Sequence, residues 1–198
     1  MRRRRSSRVH ARGREDYRFR ALVVISSLLV LAPFAGSAGA GTPQASERLA
    51  RIVATVAGRP VAVSCESRDR AWRREVRAAR IARAVAYFDP ATGRIHFGPV
   101  ICRDVLEARH GMSLASVRAL FIAAHEAAHA AGVAGEARAN CWALYWVQDL
   151  ARRFYAVEFF TPASRRVRLY SRQLMRDSPP AYRTLCPVGR APSRPRGA

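Results

Sequence analysis

Residues 121–143, FIAAHEAAHAAGVAGEARANCWA, place two histidines and two glutamates in a background of alanine. Ser113 is positioned to cap a helix that runs to about Ala131, and Gly132 ends it. The polar residues of the first half therefore lie on a helix whose other side chains are small or apolar. Buried imidazole and carboxylate groups need partners. The chain must therefore adopt a fold that provides partners for these buried polar groups. A metal ion bound by them is one such partner.

The sequence HEAAH matches the pattern H-E-x-x-H. On a helix, His125 and His129 project from one face about one turn apart, so both can reach one tetrahedral Zn²⁺ at about 2.0–2.1 Å. Glu126 lies about 100° round the helix, beside such an ion rather than on it. From there its carboxylate can accept a proton from the attacking water and return it to a leaving amine. The pattern therefore predicts two metal ligands and a general base.

A third ligand is expected close to these histidines. Gly132 permits the positive-φ turn that bends the chain back beneath the helix. Glu136 follows this turn and is predicted to complete the metal site. The alternative is that Glu136 only opens the next helix, where the helix dipole favours its charge. Asn140 shares a helical face with Glu136 and is predicted to hold its carboxylate.

The N-terminal 40 residues differ in kind from the rest. A basic segment, residues 1–20, precedes an apolar run, residues 21–36, and Ala38 and Ala40 supply an A-x-A cleavage pattern. This is typical of a signal peptide, and we expect cleavage near Ala40 and a secreted or extracytoplasmic protein. The alternative is an uncleaved N-terminal membrane anchor, although the run is shorter than the roughly 20 apolar residues of a typical span.

The charge of the chain is strongly positive. It has 35 basic and 14 acidic residues, and all 35 basic residues are arginine. The absence of lysine indicates a GC-rich genome more than selection for phosphate binding. The arginines are spread along the chain without a nucleic-acid-binding motif, so nucleic acid is not an expected partner. Residues 41–198 keep 26 basic and 12 acidic residues, which predicts non-specific contact with an anionic cell envelope.

Four cysteines, all after Ala40, predict two disulfides in an exported protein. None belongs to a C-x-x-C pair, which argues against a thiolate zinc site. Cys65 and Cys102 bracket a predicted strand and hairpin, and Cys141 and Cys186 bracket the helices after the histidines. These brackets predict the pairs Cys65–Cys102 and Cys141–Cys186.

Apolar periodicity and turn residues indicate one helix-dominated α+β domain over residues 41–187, with a small antiparallel sheet and a disordered tail over 188–198. Predicted helices cover 44–58, 98–111, 113–131, 136–155 and 161–177, with a strand at 60–65 and a hairpin at 83–97. In the hairpin, His96 is expected to be a surface or cross-strand residue rather than a ligand. The strand Arg94–Phe97 is expected to present an edge to an extended substrate.

HEAAHAAGVAGEARANCWALYWVQ, residues 125–148, resembles a group of small exported zincin-like metallopeptidases of GC-rich bacteria, in which H-E-x-x-H is followed closely by E-x-x-x-N/D-C-x-A. A more distant likeness is to neutral zinc metallopeptidases. PPAYRTLCP, residues 179–187, is similar to the tail of the small group. The resemblance implies a zincin-like fold, Zn²⁺ bound by His125, His129 and Glu136, and Glu126 as the base.

The function expected from these residues is hydrolysis of peptide bonds in a peptide or protein substrate by an exported zinc peptidase. Tyr170 or Tyr182 could stabilise the oxyanion, and their spacing does not choose between them. The alternative is a non-catalytic, disulfide-stapled, basic cell-surface protein with a structural or vestigial zinc site. Three protein ligands with an open coordination position favour the enzyme, whereas a fourth ligand favours the alternative.

Overall fold

A computed structural model of the chain describes residues 43–81, 83–107, 112–182 and 186. The predicted signal segment, residues 1–40, and the predicted tail, residues 188–198, lie outside the described residues. No helix in these ranges combines the length and the apolarity needed to cross a bilayer.

The described chain is dominated by helices, which confirms the predicted α+β class. In chain order the elements are α1 (Pro43–Ala57), β1 (Ala62–Cys65), α2 (Asp69–Ala78), β2 (Ala86–Asp89), β3 (Arg94–Phe97), α3 (Pro99–Asp104), α4 (Leu114–Ala130), α5 (Glu136–Tyr155), α6 (Pro162–Asp177) and a 3₁₀ helix (Pro180–Tyr182). The sequence did not predict α2, because only Trp72 and Val76 of its ten residues are buried apolar side chains. Two positions one turn apart are too few to produce a recognisable helical period.

The sheet is mixed, so the prediction of an antiparallel sheet is wrong. Its order is β1-β3-β2. β3 pairs antiparallel with β2 through the hairpin and parallel with β1. The parallel pair arises because the chain passes through α2 and β2 before it returns as β3, and such a crossover is what parallel strands require. β3, residues Arg94–Phe97, is therefore the central strand, and the prediction that it presents an edge is also wrong.

The outer face of the sheet carries a polar row that α2 covers. Ser64, Tyr87 and His96 lie side by side in the strand register. The His96 ring stacks on Tyr87 with centroids 4.7 Å apart, and its Nδ1 lies 2.6 Å from Oε1 of Glu75 on α2. His96 is thus a cross-strand residue, as predicted, and does not belong to the group formed by His125, His129 and Glu136.

Helix α4 runs through the middle of the domain. It packs against α1, α3, α5, α6, β2 and β3, and its alanines let these neighbours approach closely. Ser113 caps it as predicted, because its Oγ accepts a hydrogen bond from the Ser116 amide at 3.1 Å. Val117 and Leu120 are fully buried, whereas Leu114 is 40% exposed. As the first residue of the helix, Leu114 lies at the end that its neighbours do not cover.

Both predicted disulfides are present. Cys65–Cys102 joins β1 to α3 with Cα atoms 5.9 Å apart. Cys141–Cys186 joins α5 to the segment beyond the 3₁₀ helix with Cα atoms 5.3 Å apart. Disulfide pairs of this kind are typical of proteins in oxidising compartments outside the cytoplasm.

Candidate metal centre

The turn between α4 and α5 brings the sequence-predicted residues together. At the end of α4 the Gly132 amide bonds the His129 carbonyl and the Val133 amide bonds the Ala128 carbonyl, each at 2.9 Å. These two bonds form a Schellman motif around Gly132, whose φ is +86°. Gly135 repeats this positive φ and opens α5. The chain therefore reverses within a few residues and places Glu136 beside the histidines.

Three side-chain atoms converge at this point. The Nε2 atoms of His125 and His129 are 3.1 Å apart. Oε2 of Glu136 lies 2.9 Å from His125 Nε2 and 3.6 Å from His129 Nε2. Two donors bound to one tetrahedral Zn²⁺ at 2.0–2.1 Å would lie about 3.3–3.4 Å apart. The triangle thus matches one face of such a coordination sphere, and the three residues could hold a metal ion.

The orientation of each imidazole is fixed through its other nitrogen. His129 Nδ1 lies 3.0 Å from the Val133 carbonyl oxygen, which only accepts hydrogen bonds. His125 Nδ1 lies 2.8 Å from Oδ1 of Asn140, and Nδ2 of Asn140 donates to the Tyr182 carbonyl at 3.0 Å. Both Nδ1 atoms therefore carry the proton, and both Nε2 lone pairs face the centre.

This arrangement corrects one prediction. Asn140 was expected to hold the carboxylate of Glu136, but it holds the ring of His125. The helical face that Asn140 shares with Glu136 also faces α4, where His125 is within reach of the amide.

The centre therefore consists of acceptors that face one another. If both rings are neutral, the two Nε2 lone pairs and the carboxylate oxygen would repel one another unless a cation lay among them. A proton on His125 would replace such a cation poorly, because burial lowers the pKa of His125 and the neighbouring His129 lowers it further. A metal ion could be held by all three groups, and nitrogen and carboxylate donors are common ligands of zinc.

Glu126 lies beside the triangle and is not one of its three members. Its side chain is buried, and its carboxylate accepts a hydrogen bond from the Phe88 amide of β2. Burial raises the pKa of Glu126 to about 8, and the charge of Glu136 adds to the rise. A cation bound at the triangle would oppose this effect and favour the carboxylate.

A cleft of about 1140 Å³ opens in front of these residues. Strand β2 forms one wall, α4 and the Gly132–Ala134 turn form another, and Pro179 and Tyr182 lie at its margin. Tyr170 is not among the lining residues and packs against the hydrophobic core instead. Of the two tyrosines that the sequence left open, Tyr182 is the one at the cleft.

Three contributors to the site were not predicted. They are the carbonyl groups of Val133 and Tyr182, which orient His129 and Asn140, and the edge strand β2, which reaches Glu126. The carbonyls are backbone groups that any residue supplies, so no residue type marks them. The position of β2 follows from the strand order, which the sequence pattern did not reveal.

Comparison of the chain with models of known protein families, with curated proteins and with solved structures gives no match.

Proposed function

We propose that the protein is an exported zinc-dependent peptidase. One observation supports this most: three side-chain atoms that could hold a metal ion line an open cleft, and the buried carboxyl group of Glu126 lies beside them. Among the described residues no fourth histidine, cysteine or carboxylate joins the three. Catalytic zinc sites use three protein ligands and leave one position open, whereas structural sites are closed by four.

The chemistry assigned to each group follows from its place. When bound, Zn²⁺ would polarise the scissile carbonyl and activate the attacking water. Glu126 would accept the proton of that water and pass it to the leaving amine, which requires a carboxylate poised between its two protonation states. The hydroxyl of Tyr182, at the margin of the cleft, would donate to the developing oxyanion.

Strand β2 would align the substrate. The Val85 carbonyl bonds the Gly98 amide on the β3 side, and backbone groups alternate in direction along a strand. The backbone groups of Ala86 and Phe88 therefore point away from β3, toward the cleft that β2 lines. The Phe88 amide is taken by Glu126, which leaves the amide and carbonyl of Ala86 and the carbonyl of Phe88 for a substrate. An extended peptide could pair with this edge by β-augmentation.

The proposal is tested by metal analysis of the purified protein and digestion of a broad peptide library. We expect about one zinc per chain and cleavage that stops when the metal is removed. The matched control is Glu126→Gln, which keeps the size of the side chain but cannot accept a proton. It should retain zinc and lose cleavage by at least about a hundredfold, the usual contribution of a general base.

The outcomes separate the two functions considered. Zinc bound without cleavage of any peptide would support a non-catalytic, disulfide-stapled cell-surface protein. Cleavage by Glu126→Gln at the parental rate would show that the general base is another group.

A further inference from the structure

A second surface, apart from the metal centre, combines exposed aromatic rings with arginine. The turn between α5 and α6 exposes Phe159 by 56% and Phe160 by 85%. Phe160 adopts a φ of +62°, which bulky residues rarely do. The guanidinium of Arg152 lies over the Phe159 ring, 4.7 Å from its centroid. Two adjacent large apolar side chains are thus held in solvent at the tip of a turn.

Helix α6 begins two residues after Phe160 and carries an exposed stripe of its own. Arg165, Leu169, Arg172 and Arg176 follow one another at i, i+4, i+7 and i+11, so they form a single stripe on the helix. Leu169 is 62% exposed, and the opposite face is buried through Val167 and Ser171. No carboxylate in the described part of the chain forms an ion pair with these three arginines. Their charges are therefore available to an external anion.

Helix α2 carries a similar exposed stripe, Arg70, Arg74 and Arg77. However, no exposed large apolar side chain of the described chain lies on α2. Arginine alone thus recurs elsewhere on the protein, whereas arginine together with protruding phenylalanine and leucine occurs at the α5–α6 turn and on α6.

We propose that Phe159, Phe160, Arg165, Leu169, Arg172 and Arg176, here called the aromatic–arginine surface, dock the folded domain on a bilayer that contains anionic lipid. Arginine stripes attract anionic headgroups, and exposed aromatic and leucine side chains gain by entering the interfacial region. A soluble anionic polymer would satisfy the arginines but would leave the phenylalanines in water. Glu158 in the turn and Asp177 at the end of α6 carry two negative charges against the five arginines of that helix, so the charge excess remains positive.

The first test measures contact at the turn itself. Phe160→Trp is introduced into the full chain, and its fluorescence is followed with vesicles whose acyl chains are brominated. With phosphatidylcholine vesicles containing phosphatidylglycerol, we expect quenching beyond that of the native tryptophans, and little with phosphatidylcholine alone. Leu114→Trp, at an exposed position outside the surface, should show no such excess. Because quenching is local, the result is independent of whatever else holds the chain at the vesicle.

The second test removes charge. In the Phe160→Trp background, Arg165, Arg172 and Arg176 are changed together to Gln. The matched control changes Arg70, Arg74 and Arg77 to Gln, which removes the same three charges from α2. The first variant should need on the order of 100-fold more anionic lipid for half-maximal quenching, and the control less than about threefold more.

The outcomes decide the proposal. Absence of excess quenching at position 160, or equal effects of the two triple variants, would overturn it. If the α6 variant loses binding to soluble polyglutamate while position 160 is never quenched, the surface binds anionic polymers and the lipid proposal is wrong.

Discussion

The metal centre depends on where two protons sit. His125 and His129 each donate from Nδ1, one to the Asn140 side chain and one to the Val133 carbonyl. That choice turns both Nε2 lone pairs toward Glu136. The affinity of the site for a metal ion would therefore depend partly on groups that do not reach the ion, as is usual for histidine ligands.

The role of Glu136 can be separated from a simple effect on its helix. If Glu136 is a ligand, Glu136→Ala should weaken zinc affinity at least tenfold, the scale expected even for loss of an indirect partner. If it only favours the start of α5, the free energy of unfolding should fall by about 1 kcal/mol and the affinity should stay the same. Competition with a chelator measures the affinity, and thermal unfolding measures the stability. Unaltered zinc affinity in a folded Glu136→Ala protein would remove Glu136 from the site.

Asn140 offers a sharper test of orientation. Asn140→Ala should lower zinc affinity by about 10–100-fold, because the His125 ring loses the acceptor that fixes its tautomer. Asn140→Asp keeps an acceptor for Nδ1 but places a carboxylate oxygen, instead of a donor, against the Tyr182 carbonyl, so it should retain more of the affinity than Asn140→Ala. Chelator competition on both variants makes the comparison. Equal losses for Ala and Asp would show that the amide acts through Tyr182 rather than through His125.

At the scale of elements, the sequence predicted what periodicity reveals. Helices α1, α4 and α5 have apolar residues at helical spacing, and the structure contains all three close to the predicted ranges. The cap at Ser113 and the positive φ of Gly132 were also predictable, because each rests on a local property of one residue type. These local signals placed His125, His129 and Glu136 on the correct elements.

The errors at this scale concern how elements meet. Pairing of β1 with β3 and the resulting edge at β2 depend on contacts between residues far apart in sequence. The partner of Asn140 depends on how α5 crosses α4. Helix α2 is held by Trp72 and Val76 against its neighbours and has no strong period of its own. Such features arise from tertiary packing, which local patterns do not encode.

The two disulfides allow a comparison between a link close to the candidate metal centre and a link elsewhere in the domain. Cys141–Cys186 joins α5 to the segment that follows the 3₁₀ helix. The last residue of that 3₁₀ helix is Tyr182, and its carbonyl accepts a hydrogen bond from Asn140. Cys65–Cys102 ties β1 to α3, away from the centre. Each closes a loop of similar length, worth about 3–4 kcal/mol in the chain-entropy model. Replacing either pair with serine should lower stability by comparable amounts.

Their effects on metal affinity should differ. Loss of Cys141–Cys186 frees the Tyr182 segment, so zinc affinity should fall about tenfold or more, as expected for loss of indirect support. The Cys65→Ser/Cys102→Ser protein should bind zinc as the parent does. Affinities measured well below the unfolding temperature of both variants make the comparison. An equal fall in both would mean that the disulfides act only through global stability.

At the scale of the whole molecule, the site is assembled from distant parts of the chain. Phe88 of β2, His125 of α4, Glu136 of α5 and Tyr182 of the 3₁₀ helix meet because α4 packs against β2 on one side and α5 on the other. The unfolded chain has no such constellation, so a metal ion that binds there binds the folded state. Metal binding and folding should therefore be linked.

This linkage predicts that zinc raises the melting temperature Tm of the protein, and that a variant lacking one ligand shows no such rise. Zinc at about 100 times its dissociation constant should stabilise the folded protein by about 2.7 kcal/mol. For a domain of this size each kcal/mol raises Tm by about 3–4 °C, so we expect Tm to rise by about 8–10 °C. Calorimetry with and without zinc measures the shift, and His129→Ala should reduce it to near zero because a ligand atom is lost. A comparable rise in His129→Ala would mean that zinc binds elsewhere on the molecule, and the centre at α4 and α5 would then not be its site.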